Sequence, residues 1–146
     1  MGSGLALQIK EKWPQVYADY RGHFVYRDQP DWHELLGDNL TSVINKDLLV
    51  VSCFTQVYYG KVKPYKGAKQ HLDYEALKKC LLSVFCRGRS TIMPVHLPKI
   101  GCGLAGGDWI KVKKIIEELE DEVNNEITYF KYKPLEINVH FPGCVE

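Results

Sequence analysis

Four glycines fall within the seven residues Gly101-Cys102-Gly103-Leu104-Ala105-Gly106-Gly107, between a β-branched apolar stretch and an amphipathic one. Glycines let the backbone take positive φ and pass close to a ligand, and a helix starting just after them offers unpaired N–H groups to an anion. The chemistry this implies is the binding of a phosphate or diphosphate. The same strand, turn and helix also serve as a plain tight connection, so both readings stand at this point. The run is read as neither a dinucleotide-binding Rossmann turn nor a P-loop, the latter for want of Gly-Lys-Ser/Thr.

Groups able to take part in catalysis are few. Asp108 follows the glycines, where it would orient a water or a ribose hydroxyl, or cap the helix that begins there. Cys102 sits inside the run, where a helix N-terminus can depress a thiol pKa; the plainer reading is a small residue tolerated by the loop. His96 lies in an apolar stretch and reads as a satisfied core or edge histidine. His33 and His71 fall in loops without a visible partner. Tyr58 and Tyr59 could stack on a ligand ring, and Lys61, Lys63, Lys66 and Lys69 could draw an anion, although exposed tyrosines and a solvated lysine face account for both.

These groups must be positioned by a chain of 146 residues, the common size of one domain, and residues 1–146 are taken as one. Nineteen basic and eighteen acidic side chains leave a net charge of +1, which supplies no overall field for a nucleic-acid backbone. The five cysteines form no C-x-x-C pair, so no zinc site is expected, and an odd number suits a reducing, cytoplasmic compartment. No apolar run reaches the length of a membrane span, and no signal peptide is read at the N-terminus.

Apolar residues Leu5, Ile9, Trp13, Val16 and Tyr20 recur at helical spacing, with Pro14 opening a second helical segment. Residues 22–45 read as connection with a short strand near Phe24 to Tyr26. Residues 47–54 read as a buried central strand and residues 55–72 as a long surface loop. Asp73 is placed to cap a helix to about Arg87, with Gly88 as its stop and Leu77, Leu81, Leu82 and Phe85 inward. Further strands are expected over residues 90–97, 127–132 and 136–141. A helix from about Asp108 to Val123 should turn Val112, Ile115, Ile116 and Leu119 inward. Alternating strands and helices imply an α/β fold.

Three segments resemble macro domains. Residues 1–14 (Met1-Gly2-Ser3-Gly4-Leu5 through Trp13-Pro14) are similar to the family's first ligand loop and helix. Phe54-Thr55-Gln56, followed by a Tyr- and Lys-rich loop and Asp73-Tyr74-Glu75-Ala76-Leu77, resembles its central strand and next helix. Residues 97–109, Leu97-Pro98-Lys99-Ile100 and the glycine run through Asp108-Trp109, are similar to the second ligand loop of the bacterial, phage and yeast branch of ADP-ribose-1''-phosphate phosphatases. The resemblance spans roughly Met1 to Tyr132. It implies a three-layer α/β/α fold with a mixed sheet, and as ligand ADP-ribose or ADP-ribose-1''-phosphate. The two loops would hold that ligand through Gly2, Ser3, Gly4 and Leu5 on one side and Gly101 to Gly107 on the other, with Phe54 and Gln56 between. The implied activity is hydrolysis of ADP-ribose-1''-phosphate or a related derivative, with no cofactor and no metal; a non-catalytic reader of ADP-ribose, or a remnant completed by a partner chain, is the alternative.

The sequence also departs from the family. The strands that normally precede the first loop, with an adenine-reading aspartate and a His- or Asn-bearing end beside the distal ribose, have no counterpart ahead of Met1. The deglycosylating branch carries an aspartate where this chain has Ala105. The fold is therefore expected to be N-terminally truncated or circularly permuted. In the permuted order Ile137-Asn138-Val139-His140 supplies the missing strand, and His140 joins Asp108 as a catalytic candidate. The competing reading is a C-terminal strand at a sheet edge or paired with another subunit, which leaves homo-oligomerisation open.

Overall fold

The computed structural model describes residues 4–25, 31–58, 70–125 and 133–141. The chain opens with two helices, α1 (Gly4–Lys12) and α2 (Pro14–Val25), broken at Trp13. Proline explains the break: it cannot donate the amide that would continue α1, while its fixed φ suits the first turn of α2. None of α1 is buried, and α2 buries only Val16. The strand expected near Phe24 to Tyr26 is not formed at Phe24 and Val25, which complete α2; Tyr26 lies outside the described residues.

Residues 39–45, read from sequence as connection, form a strand instead. β1 (Asn39–Asn45) and β2 (Leu48–Cys53) make an antiparallel hairpin, with Leu40 opposite Ser52 and Ser42 opposite Val50. The turn is set locally: Asn45 Oδ1 accepts the Asp47 amide at 2.8 Å. The polar residues Asn39, Thr41, Ser42 and Asn45 hid this strand. β2 lies where a buried central strand was expected, yet all six of its residues are only half-buried. Among the described residues its one strand partner is β1.

α3 (Tyr74–Thr91) begins as expected, the Asp73 carboxylate accepting the Ala76 amide at 2.9 Å. It does not stop at Gly88. The helix continues to Thr91 and ends on Ile92 in the left-handed conformation, whose amide bonds back to the Arg89 and Gly88 carbonyls. Gly88 is instead a packing glycine: a Cβ there would lie 2.7 Å from Val95 Cγ2. β3 (Val95–Pro98) follows, shorter than the expected strand because Ile92 and Met93 close the helix.

α4 (Trp109–Asn125) buries Val112, Ile116, Leu119 and Val123, one stripe at helical spacing. β4 (Ile137–His140) pairs with β3 in parallel, His96 opposite Asn138 and Pro98 opposite His140. The strand expected over residues 127–132 lies outside the described residues.

The core sits where α3 and α4 cover β3. Leu77, Leu81, Phe85, Val112 and Leu119 are fully buried against Val95, Leu97 and Leu135. Arg89 ties the two helices from within, its Nη1 donating to the Val123 carbonyl at 3.0 Å and to Asn124 Oδ1 at 2.8 Å. Asn124 Oδ1 in turn accepts the Leu135 amide, which fixes the approach to β4. The fold is thus α/β, with one antiparallel and one parallel strand pair among the described residues.

Candidate functional site

Parallel strands gather ligand sites beyond their carboxyl ends. The carboxyl end of β3 is Pro98, and the glycine loop runs from there to the start of α4. Its shape is held by its own amides: Ile100 donates to Pro98, Cys102 to Lys99, Gly106 to Gly103, and Gly107 to Gly101 at 2.9 Å. Gly101 and Gly106 take φ of 72° and 73°, which side chains resist. Gly101 also has no room for a Cβ, which would stand 2.7 Å from the Leu72 side chain. Leu72, 2% exposed, is the floor of the loop.

Ala105 is the anchor. It is buried, and its carbonyl accepts the amides of both His71 (2.8 Å) and Leu72 (3.2 Å). Among the described residues the amides of Gly103, Leu104 and Ala105 donate to no protein group. Gly103 and Leu104 are exposed, and nothing stands within 4 Å of a Cβ placed on Gly103. Three successive N–H groups, unpaired among the described residues, are thus left on a loop shaped by its other amides, and such groups are what an anion takes up.

The loop does meet Gly-x-Gly-x-x-Gly at Gly101, Gly103 and Gly106, so the sequence spacing alone does not set it apart from a dinucleotide turn. The geometry does. In the Rossmann turn the glycines lead straight from strand to helix. Here ten residues separate Pro98 from Trp109, and two of the glycines close the loop onto itself.

Asp108 stands at the start of α4. Its Oδ1 accepts the Ile110 amide at 2.9 Å, the bond of a helix cap, and its own amide donates to the Tyr74 hydroxyl at 3.0 Å. Cys102 donates its thiol to the Ile100 carbonyl at 3.3 Å. Burial, followed by the nearby Asp108 carboxylate, pushes that thiol up against the opposing pull of Lys99. This overturns the depressed, nucleophilic alternative: at neutral pH Cys102 is a protonated packing residue.

Phe54 and Thr55, at the end of β2, reach the loop through residues 71–73. The Thr55 carbonyl accepts the Asp73 amide at 2.9 Å, and the neighbouring Leu72 amide bonds to Ala105. Phe54 is held by backbone bonds with Gly37 and Asp38, and its ring meets Tyr20, His23 and Phe24 of α2. The Gln56 side-chain Nε2 donates locally to the Tyr58 carbonyl at 2.9 Å. The Cys53 and Cys80 thiols lie together behind Phe54. The Cys80 thiol donates to the Asp38 carbonyl at 3.2 Å, and the neighbouring Cys80 sulfur, followed by burial, pushes Cys53 up.

Gly4 takes a φ of 56° and Leu5 is half-exposed at the start of α1, but no hydrogen bond joins them to the glycine loop. Gly2 and Ser3 lie outside the described residues, as do Tyr59 and the lysines 61, 63, 66 and 69.

His140 ends β4 beside Pro98, at the same end of the parallel pair as the glycine loop. The tail strand therefore does lie next to the loop strand, which is its one strand partner among the described residues. His96 Nδ1 and His140 Nε2 are 3.0 Å apart, and both residues are exposed. Sequence reasoning placed His96 in a buried strand and missed this pair. The alternation of Val95 and Leu97 inward with His96 outward was the available signal. Phe141 packs edge-on to Trp109 at 5.6 Å, with the Lys99 ammonium near both rings. His71 and Leu72, which bridge the two halves of the site, carried no sequence signal.

No family model matches the chain. An uncharacterized 17.5 kDa protein of Enterobacteria phage T4, from the tk-vs intergenic region, is 24% identical over 138 residues, covering 92% of this chain and 81% of that protein. Two solved structures from Bacteroides thetaiotaomicron, one of them described as a protein of unknown function, are similar with TM-scores of 0.76 and 0.75. Their identities are 26% and 25%, covering 96% of this chain and 78% and 80% of theirs. A macrodomain protein from Streptomyces coelicolor superposes with a TM-score of 0.65 at 24% identity, over 96% of this chain and 78% of its own. By its structural neighbours, this chain has a macro-like α/β fold.

Proposed function

We propose that the chain binds ADP-ribose or a close derivative, with the diphosphate on the Gly103-Leu104-Ala105 amides, and that it hydrolyses ADP-ribose-1''-phosphate. The observation that carries the binding reading is the set of three successive N–H groups, unpaired among the described residues, beyond the carboxyl end of a parallel strand. The macro-like fold and the resemblance of residues 97–109 to the family's second ligand loop support the choice of ligand. Residues 1–5 would close the other side, and Phe54 and Gln56 would line the space between.

Hydrolysis transfers the phosphoryl group from the ribose oxygen to water, giving ADP-ribose and inorganic phosphate. It needs a group that takes the water proton or returns one to the leaving oxygen. His140 is suited to this by chemistry and place, and its bond to His96 would orient the ring. Asp108 is the second candidate, through its carboxylate at the loop's end. One observation favours the alternative, a non-catalytic reader: the Asp108 carboxylate is engaged as a helix cap and the Cys102 thiol is held protonated, so the loop itself presents no free catalytic group.

Calorimetric titration with ADP-ribose tests binding, and one-to-one binding that disappears in Gly103→Trp is the expected result. That substitution has open space in the free protein, so its fold should be intact. Binding retained by the variant would refute the site, and absence of binding by the unaltered chain would refute both readings. Phosphate release from ADP-ribose-1''-phosphate, lost in His140→Gln, distinguishes enzyme from reader.

A further inference from the structure

We infer that His96 and His140 form a two-nitrogen binding site for a borderline transition-metal cation such as Ni²⁺ or Zn²⁺. The two side chains project from the same face of the β3–β4 pair, opposite the face that Val95 and Leu97 bury against the helices. Their facing nitrogens are 3.0 Å apart and their ring centres 5.3 Å apart. The second distance exceeds the first by about two ring radii, so the nitrogens lie on the line between the rings. The rings meet edge to edge, as in a shared-proton hydrogen bond.

The nitrogen spacing is already close to what a cation needs, while the rings must turn. Zinc–imidazole bonds of about 2.0–2.1 Å at a tetrahedral angle put two ligand nitrogens roughly 3.3 Å apart, a few tenths of an ångström from the spacing present. Because the two lone pairs now point at each other, each exposed ring turns by roughly 35° for both to meet one cation at the tetrahedral angle. In a neutral pair, the proton now shared moves to the far nitrogen of its own ring, so the rings become Nδ1- and Nε2-ligating tautomers and no proton leaves. Both backbones are pinned by the ladder that pairs Pro98 with His140. Glu136, just before β4, has a carboxylate that accepts from Asn138 and pairs with Lys133 at 3.9 Å. Lys99 adds an opposing charge close to Phe141.

Imidazole ligands select borderline cations over Mg²⁺ or Ca²⁺, which require oxygen. Among the described residues no third histidine, cysteine or carboxylate converges on the pair. The site lies at the glycine-loop end of β3 and β4, but the inference does not rest on the ligand reading.

The test is calorimetric titration of the metal-free, untagged 146-residue chain with NiCl₂ and separately with ZnCl₂, repeated after thiol alkylation to silence the cysteines. One Ni²⁺ per chain is expected. Binding should survive alkylation and weaken at least tenfold in both His96→Gln and His140→Gln, whose exposed positions leave the circular dichroism spectrum and Tm unchanged. Absence of binding with both metals, loss on alkylation, or undiminished binding in either variant would overturn it. ADP-ribose affinity is measured on the unaltered metal-free chain, so either idea can fail alone.

Discussion

The Gly107 amide donates to the Gly101 carbonyl, and the contact is so close that a Cβ on Gly107 would stand 2.6 Å from that oxygen and 2.6 Å from Leu72 Cδ2. Backbone and a buried leucine cannot both yield. Gly107→Ala should therefore open the loop and weaken ADP-ribose binding at least tenfold, at a stability cost of about 1–3 kcal/mol for overpacking. Gly103→Ala, with open space around it, should leave the urea midpoint unchanged. Equal effects of the two substitutions would contradict this loop geometry.

Asp108 separates capping from catalysis. Asparagine caps as well as aspartate, so Asp108→Asn should keep the Ile110 bond and the stability of α4, while Asp108→Ala should lose about 1 kcal/mol. If Asp108 only caps, phosphate release by the asparagine variant matches the unaltered chain. A loss of turnover at unchanged Tm would make it catalytic.

Arg89 is 6% exposed and bonded to Val123 and Asn124 at the far end of α4. Arg89→Ala should cost about 3 kcal/mol, because charge-assisted bonds are lost and their acceptors are left inside. Urea denaturation reads this as a lower midpoint at constant slope. A midpoint within error of the unaltered chain would show that α3 and α4 hold together without it.

Ile92 closes α3 with φ of 56° although its side chain is 60% exposed. The left-handed conformation costs an L-residue roughly 1–2 kcal/mol, partly offset in a glycine variant by the freer unfolded chain. Ile92→Gly should raise stability by roughly 0.5–1 kcal/mol, visible as a higher Tm. A fall would mean that the exposed isoleucine contributes packing that outweighs its backbone strain.

Cys102 titrates above the ordinary thiol value of 9.0 because burial disfavours its thiolate. The folded chain thus holds this proton where the unfolded chain has begun to lose it. Its contribution to stability is full below that ordinary value and is lost as pH rises through the folded one. Peptide-resolved alkylation should find Cys102 slower in the folded protein than in urea at pH 8. Faster alkylation when folded would restore the activated thiol.

Much of this was legible in local sequence. Pro14 marked the boundary between α1 and α2, Asp73 marked the start of α3, and the spacing of Val112, Ile116 and Leu119 marked the buried stripe of α4, because caps, prolines and helical periodicity act within a few residues. The glycine run declared itself for the same reason: positive φ and close approach are properties of the residue type. What the sequence by itself determined was therefore the helices, the loop and an α/β class. Tertiary structure alone decided the rest. β1 exists because Leu48–Cys53 pairs with a polar segment, Gly88 packs rather than stops, and β4 meets β3 across nearly forty residues to bring His140 to His96. Leu72 came to floor a loop some thirty residues away. These relationships arise from strand pairing and side-chain volume between distant segments, which no local spacing encodes.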